Sequence, residues 1–310
     1  MLTKMLGKTR IPCSVVGLGT WNIGNQWGKI DEDTAQATIR SAFDNGITLF
    51  DTAESYGIPN GLSEERLGRG LSGIRHQVTV VSKTGNWGKR TNAELSRTGA
   101  DVIRLCIHAS LHRLSTDWLD VVLCHEGDIE DPSVYIEGFE ALLGEGRIRS
   151  YGISTNSLDV LKRFNMDGNC SVVQVDYSIL NRKPEAELLP YCKENDIGVM
   201  VRGPLAKGLL SGRYDKMTRF TDTVRVVMHE DAEAQANYES TIERVDRLKD
   251  IASPGKGMVQ LALQYVISNP AVSVVIPGAK SADQAATNAE AGCAVLSEKA
   301  LAKISGIMGN

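Results

Sequence analysis

The sequence has no C-x-x-C pair, although it holds six cysteines: Cys13, Cys106, Cys124, Cys170, Cys192 and Cys293. Thiols scattered in this way suit neither a zinc site nor a disulfide framework, and they fit a reducing compartment. It also has no basic excess, since the formal net charge is -4 at pH 7. Little is left to neutralise a phosphate backbone, so nucleic acid is not an expected partner. No eighteen apolar residues follow one another, and MLTKMLGKTR lacks an apolar core of signal-peptide length. Neither a membrane span nor a secretory leader is expected, which places the chain in the cytoplasm. Low-complexity segments, close internal repeats and breaks in composition are also lacking. None of these features sets the oligomeric state.

What is present is a rhythm. The 310 residues are 42% hydrophobic and 23% charged, the balance of a globular protein with a sizeable core. Eight short apolar runs, rich in β-branched residues, each stop on a glycine or a polar side chain. CSVVGLG runs to Gly19, GITLF to Asp51, VTVVS to Lys83 and DVVLC to His125. YGIS runs to Ser154 and Thr155, SVVQ to Gln174, GVMV to Arg202 and VSVVIP to Gly278. Continuous runs of this length suit strands buried on both faces. Helix-length amphipathic segments separate them, among them DEDTAQATIRSAFDNG, NAELSRTGADVIRLCIHASLHRL and MVQLALQYVISN. SEERLGRGL opens on Ser63 as a candidate N-cap. Eight β-α alternations predict a (β/α)8 TIM barrel spanning 1–310 as one domain, preceded by a small β-hairpin in KMLGKTRIPCS. Residues 211–254 break the rhythm with a long polar segment after the seventh strand, a candidate lid or substrate loop.

In such a barrel the strand ends meet on one face. Asp51, Lys83 and His125 each close a strand, and Tyr56 sits on the loop after Asp51 in FDTAESYG. Each has an ordinary explanation alone: Asp51 as a cap, Lys83 as a surface ion pair, His125 as a core histidine. Together they offer a carboxylate, an ammonium, an imidazole and a phenol at one mouth. A lysine ammonium lowers the pKa of a nearby phenol, a carboxylate holds the lysine, and a histidine can orient a carbonyl. The chemistry this suggests is proton transfer to or from an alcohol or carbonyl oxygen.

FDTAESYG, VVSKTG and DVVLCHEGD resemble the catalytic tetrad motifs of the aldo-keto reductases, with Asp51, Tyr56, Lys83 and His125 as the tetrad. VVGLGTWNIG, GLSEERLGRGL, RIRSYGIST, VVQVDYSILNR, GPLAKGLLSGRY and VVIPGAKSADQAATNAEA resemble further motifs of that family, in its order and over nearly the whole chain. The resemblance implies a (β/α)8 barrel that moves hydride between a nicotinamide cofactor and a small-molecule aldehyde, ketone or alcohol. It implies NADP(H) as the cofactor, with NAD(H) the weaker alternative, and Tyr56 as the proton donor.

From the residues alone, G-L-G-T-W-N after the first strand lacks the third glycine of a G-x-G-x-x-G turn, and no Walker-type loop occurs. A dinucleotide must then lie extended across the barrel mouth. The resemblance implies that Gly19, Thr20, Trp21 and Asp51 border the cofactor, that Ser154 and Gln174 clamp the carboxamide, and that Gly203, Pro204, Leu205 and Lys207 form the pyrophosphate loop. It places Gly278, Lys280, Ser281, Gln284 and Asn288 at the adenosine end. By themselves Lys207 and Lys280 read as solvated charge.

The sequence departs from the family pattern in three places. Thr155 follows the fifth-strand serine where relatives have asparagine, Arg202 stands where many have a stacking aromatic, and Gln284 stands where some have arginine. Arg202 can stack or pair with phosphate. Trp21, Tyr56, Trp87 and His125 are the expected substrate wall, with Trp27 shared between wall and core. His108 and His112 have helical spacing, but HASLH lacks the metalloprotease glutamate, and no metal is expected. Two other classes compete. A nicotinamide-binding, redox-sensing regulatory barrel is one, because the potassium-channel β subunits resemble this family too. A metal-dependent hydrolase is the other, and the absence of H-x-H at the first strand end speaks against it.

Overall fold

The expected hairpin opens the chain as β1 (Thr3–Met5) and β2 (Pro12–Ser14), paired antiparallel. The structure, a computed structural model, describes residues 1–88, 97–222, 224–252 and 257–309. Eight parallel strands follow: β3 (Leu18–Gly19), β4 (Leu49–Asp51), β5 (Thr79–Thr84), β6 (Val121–Cys124), β7 (Tyr151–Ser154), β8 (Val172–Asp176), β9 (Gly198–Arg202) and β10 (Val272–Val275). Each pairs with the next in chain order. Parallel bridges Val16–Val275 and Gly19–Gly278 join first to last, with Gly17 N donating to Val275 O at 2.8 Å. The sheet thus closes into the (β/α)8 barrel that the sequence predicts.

Strand parity decides what each side chain meets, because successive residues point to opposite faces. Leu49, Val81, Val121, Leu123, Val172, Met200 and Val274 form the buried cluster inside the barrel, where Leu6 and Cys13 of the hairpin region join them. Their neighbours Phe50, Val80, Val122, Cys124, Val173, Val199 and Val275 belong to the outer core under the helices. Two residues beyond the inward set, the same parity reaches Asp51, Lys83, His125, Gln174 and Arg202. The pattern that fills the barrel therefore also directs these polar side chains into its mouth.

The helical layer is α1 (Glu32–Asp44), α2 (Leu62–Gly70), α3 (Ala100–Leu114), α4 (Ser133–Gly144), α5 (Leu158–Phe164), α6 (Leu188–Glu194), α7 (Ala232–Leu248), α8 (Gly257–Ser268), α9 (Ala282–Glu290) and α10 (Glu298–Met308). In α1, Ala35, Thr38, Ile39 and Ala42 make the buried stripe, and Asp31 caps the helix by accepting from Thr34 N. Ser63 does not cap α2. Gly61 holds that position in a left-handed conformation, and the Ser63 hydroxyl donates to Thr20 O at 3.0 Å. The start of the expected helix at residues 92–96 lies outside the described residues, as do residues 223, 253 and 254 of the long segment. That segment, expected as a polar loop, contains the helix α7. Phe220, Tyr238 and Ile242 of this segment pack with Leu209 in a small cluster of their own. The sequence reading omits α10, a helix capped by Ser297.

Candidate active site

At the mouth, β4 and β5 put a carboxylate and an ammonium side by side. Lys83 Nζ lies 2.8 Å from Asp51 Oδ2, 2.7 Å from Thr52 O and 3.2 Å from Tyr56 Oη. Lys83 is fully buried, and Asp51 and Tyr56 are nearly so. Burial works to lower the Lys83 pKa, but Asp51 and Tyr56 outweigh it and raise the ammonium above its ordinary value. Burial pushes the Asp51 carboxyl up, opposed by Lys83, by Gln174 and by the more distant Arg202. Gln174 Nε2 donates to Asp51 Oδ1 at 2.7 Å. Thr20 Oγ1 donates to Asp51 O at 2.9 Å, holding the end of β3 to the end of β4.

The Tyr56 ring stacks on Trp21 at 6.0 Å between centroids and meets the edge of His125 at 5.8 Å. Trp27 packs edge-on to Trp21 at 5.1 Å. These rings line a cleft of about 1100 Å³, together with Asp51, Ser154, Gln174 and Arg202. Gly203, Pro204, Leu205 and Lys207 also line it, as do Gly278, Lys280, Gln284 and Asn288. Gly19 is a further lining residue.

Four expected residues do not border the cleft, Ser281 among them. Lys83 lies beneath it, and Thr20 is fully buried, its hydroxyl used by Asp51 O. Asn86 lines the cleft in place of Trp87, whose carbonyl accepts from Asn60 Nδ2 at 3.2 Å. The residues expected at the adenosine end also contact one another. Ser281 caps α9 by accepting from Gln284 N, while Gln284 Oε1 accepts from Lys280 N at 2.9 Å. Asn288 Nδ2 donates to Gly278 O. Arg202 is tied to Asn156 Oδ1 at 3.1 Å and lies 3.8 Å from Asp176, and Asn156 also accepts from Asp176 N. His108 faces Glu145 on the outside of the barrel.

The model of the Aldo/keto reductase family matches residues 15–308. The chain belongs to that family. It is 32% identical to the aldo-keto reductase YhdN of Bacillus subtilis over 289 residues, covering 90% of this chain and 85% of that one. The holo form of the Bacillus halodurans aldo-keto reductase AKR11C1 superposes with a TM-score of 0.81 at 30% identity, covering 99% of this chain and 96% of that chain. A Klebsiella pneumoniae aldo-keto reductase in complex with NADPH superposes with a TM-score of 0.76 at 30% identity, again over 99% and 96%.

This family member has cleft residues that the sequence reading does not name. Arg225, on the long segment, is one. It pairs with Asp222 at 2.7 Å, donates to Tyr214 Oη at 2.7 Å, and its guanidinium lies over Phe220. Burial lowers the Lys280 ammonium, and Arg225 lowers it further while Asp222 opposes. The Lys280 ammonium also donates to Trp27 O. Asn22 is another, packed against Gly278 so closely that a Cβ there would overlap its amide. Asn22 lies inside the motif VVGLGTWNIG, whereas no local pattern marks Arg225.

Proposed function

We propose that this aldo/keto reductase family member is an NADP(H)-dependent oxidoreductase that reduces aldehydes or ketones to alcohols, with Tyr56 as proton donor. The observation that carries the proposal is the buried triangle in which one ammonium, Lys83, contacts both Asp51 and the Tyr56 hydroxyl. Residues 1–310 act as one domain, with 211–254 as the segment beside the cleft.

The cleft suits an extended dinucleotide. In the stretch 203–208, Gly203, Ala206, Lys207 and Gly208 all have positive φ. That backbone is sparsely allowed for non-glycine residues, and at Gly203 a Cβ would strike Asp176. The strained turn supports the reading of this stretch as a backbone cradle for phosphates. Arg225 lies close enough to Lys280 to add to the lowering of its ammonium by burial, a repulsion that an anion beside Lys280 relieves. A 2′-phosphate supplies that anion, which favours NADP(H) over NAD(H). Ser154 and Gln174 hold the carboxamide end.

When bound, the nicotinamide supplies the hydride. The chain's own residues do the rest. Asp51 holds Lys83 protonated, and Lys83 stabilises the phenolate that forms when Tyr56 gives its proton to the nascent alkoxide. His125, at the edge of the Tyr56 ring, orients the carbonyl oxygen. Trp21 and Trp27 exclude water from the reacting centre.

Tyr56→Phe removes only the proton donor, so turnover of an aldehyde should fall by roughly 10²–10⁴-fold, the usual worth of a general acid. NADPH affinity, read from quenching of tryptophan fluorescence, should stay nearly the same. Wild-type turnover in this variant would refute the assignment. NADPH binding without aldehyde-dependent oxidation in the wild-type protein would return the chain to the regulatory reading.

A further inference from the structure

Strand β5 turns Lys83 into the barrel, and the opposite parity turns Ser82 and Thr84 outward. Each of these two hydroxyls meets a buried carboxylate. Ser82 Oγ donates to Glu64 Oε1 at 2.6 Å, and Thr84 Oγ1 donates to Glu54 Oε1 at 3.0 Å. Each carboxylate is gripped by an arginine at one end of α3. Arg113 Nε donates to Glu64 Oε2 at 2.6 Å, and Arg97 Nη2 to Glu54 Oε1 at 2.8 Å. Glu54 and Glu64 are 2% and 0% exposed.

The two clamps differ in what else they hold. Glu64 belongs to α2, and its carboxylate accepts from Ser82 of β5 and from Arg113. Glu54 lies two residues before Tyr56, and its own N–H donates to Lys83 O at 3.1 Å. Its carboxylate also accepts from Gly85 N at 2.8 Å. Gly85, with φ near +149°, packs so tightly on His125 that a Cβ would come within 2.9 Å of its carbonyl carbon. Arg97 completes the circuit, 3.5 Å from Glu126, the residue after His125. Burial pushes the Glu54 carboxyl up, against the pull of Gly85 N–H and Arg97. One carboxylate therefore joins the Tyr56 loop, the Lys83 strand and, through Gly85 and Arg97, the His125 loop.

We propose that Glu54, gripped by Arg97, is a positioning residue that sets the Tyr56 hydroxyl against Lys83 and His125, whereas Glu64 serves packing alone. The proposal rests on Tyr56 being the proton donor. Displacements of about 1 Å can cost two decades in rate, so a residue that never touches substrate can govern turnover.

The test compares Glu54→Gln, Thr84→Val, Glu64→Gln and Tyr56→Phe for steady-state turnover of an aldehyde, its pH profile, NADPH affinity and thermal unfolding. Glu54→Gln should lower kcat by about 10- to 100-fold. It should also shift the alkaline limb of the kcat profile, because Lys83 no longer holds the phenol at a fixed distance. NADPH affinity should change by less than about twofold in the Glu54, Thr84 and Glu64 variants, since none of these three residues lines the cleft. Thr84→Val, an isosteric change that leaves the carboxylate paired, should act in the same direction with a smaller loss, and it decides the matter if Glu54→Gln does not fold. Glu64→Gln should leave the profile in place. Equal kcat loss in Glu54→Gln and Glu64→Gln, tracking unfolding temperature with no shift in profile, would overturn the proposal. So would a wild-type rate and profile in Glu54→Gln or, where that variant fails to fold, in Thr84→Val, while Tyr56→Phe is inactive. Retained turnover in Tyr56→Phe would instead sink the donor assignment on which it stands.

Discussion

Replacing Lys83 with methionine separates what the buried ammonium does for folding from what it does for chemistry. Its Nζ has three partners: Asp51 Oδ2 at 2.8 Å, Thr52 O at 2.7 Å and Tyr56 Oη at 3.2 Å. At that N···O separation the attraction between Lys83 and Asp51 is about 6 kcal/mol for an effective dielectric of about 20. Both groups are desolvated, so most of that attraction offsets burial, and the pair adds little net stability. Removing one partner is different, because Asp51 remains buried and charged. Lys83→Met should therefore cost about 3–5 kcal/mol in urea unfolding. Adding Asp51→Asn removes the stranded charge and should restore most of that stability. Turnover should behave otherwise. Both variants lack the cation that stabilises the phenolate, so kcat should fall by roughly 10²–10⁴-fold in each. Urea titration and single-turnover NADPH oxidation measure the two effects. If the double variant regained turnover along with stability, Lys83 would be a structural residue and the coupling of ammonium to phenol would be wrong.

Two further expectations follow from charge and burial. A charge-assisted hydrogen bond is worth roughly 1.5–3 kcal/mol, so Lys280→Ala and Arg225→Ala should each weaken NADPH by about one to two decades while leaving NADH nearly unchanged. Isothermal titration with both cofactors checks this, and equal losses for both would move the two cations to the shared part of the dinucleotide. Among the thiols, burial pushes Cys13, Cys170 and Cys192 up to about 12 and raises Cys106 and Cys124 as well, while Cys293 is exposed. The thiolate is the nucleophile, so a thiol reagent at pH 8 should consume one equivalent in the native protein and six after unfolding. More than one native equivalent would show that the core opens.

The mouth of the barrel was legible because two simple rules coincide there. Apolar runs ending on a polar residue locate the strand ends, and strand parity then directs Asp51, Lys83, His125, Gln174 and Arg202 inward. Where a side chain could choose between neighbours, the rules failed. Thr20 lies in the right motif, but its hydroxyl finds the Asp51 carbonyl and turns away from the cleft. Ser63 looks like a cap, but the Thr20 carbonyl claims it. Glu54 is visible inside FDTAESYG, yet its meaning depends on Arg97, 43 residues away. Arg225 was not legible at all, because the long segment has no periodicity that orients it.

Lys83 and the Lys280–Arg225 pair use positive charge in opposite ways. Around Lys83 the charge is complete within the chain: one ammonium, one carboxylate and one phenol, all dry, held whether or not anything is bound. That is what a proton-transfer site needs, since its geometry must exist before the substrate arrives. At Lys280 and Arg225 the charge is incomplete. Burial and Arg225 lower the Lys280 ammonium, and Asp222 offsets part of that, while against burial Asp222 and Tyr214 raise Arg225. Ser281 Oγ and Gln284 Oε1 act there only as acceptors, in capping α9 and holding Lys280 N. Selection there therefore rests on charge, with Arg225 held by Asp222 and Tyr214 and Lys280 by Trp27 O. A site of that kind favours the more anionic dinucleotide by a moderate factor and still admits the other, because NADH loses the attraction without meeting a new repulsion.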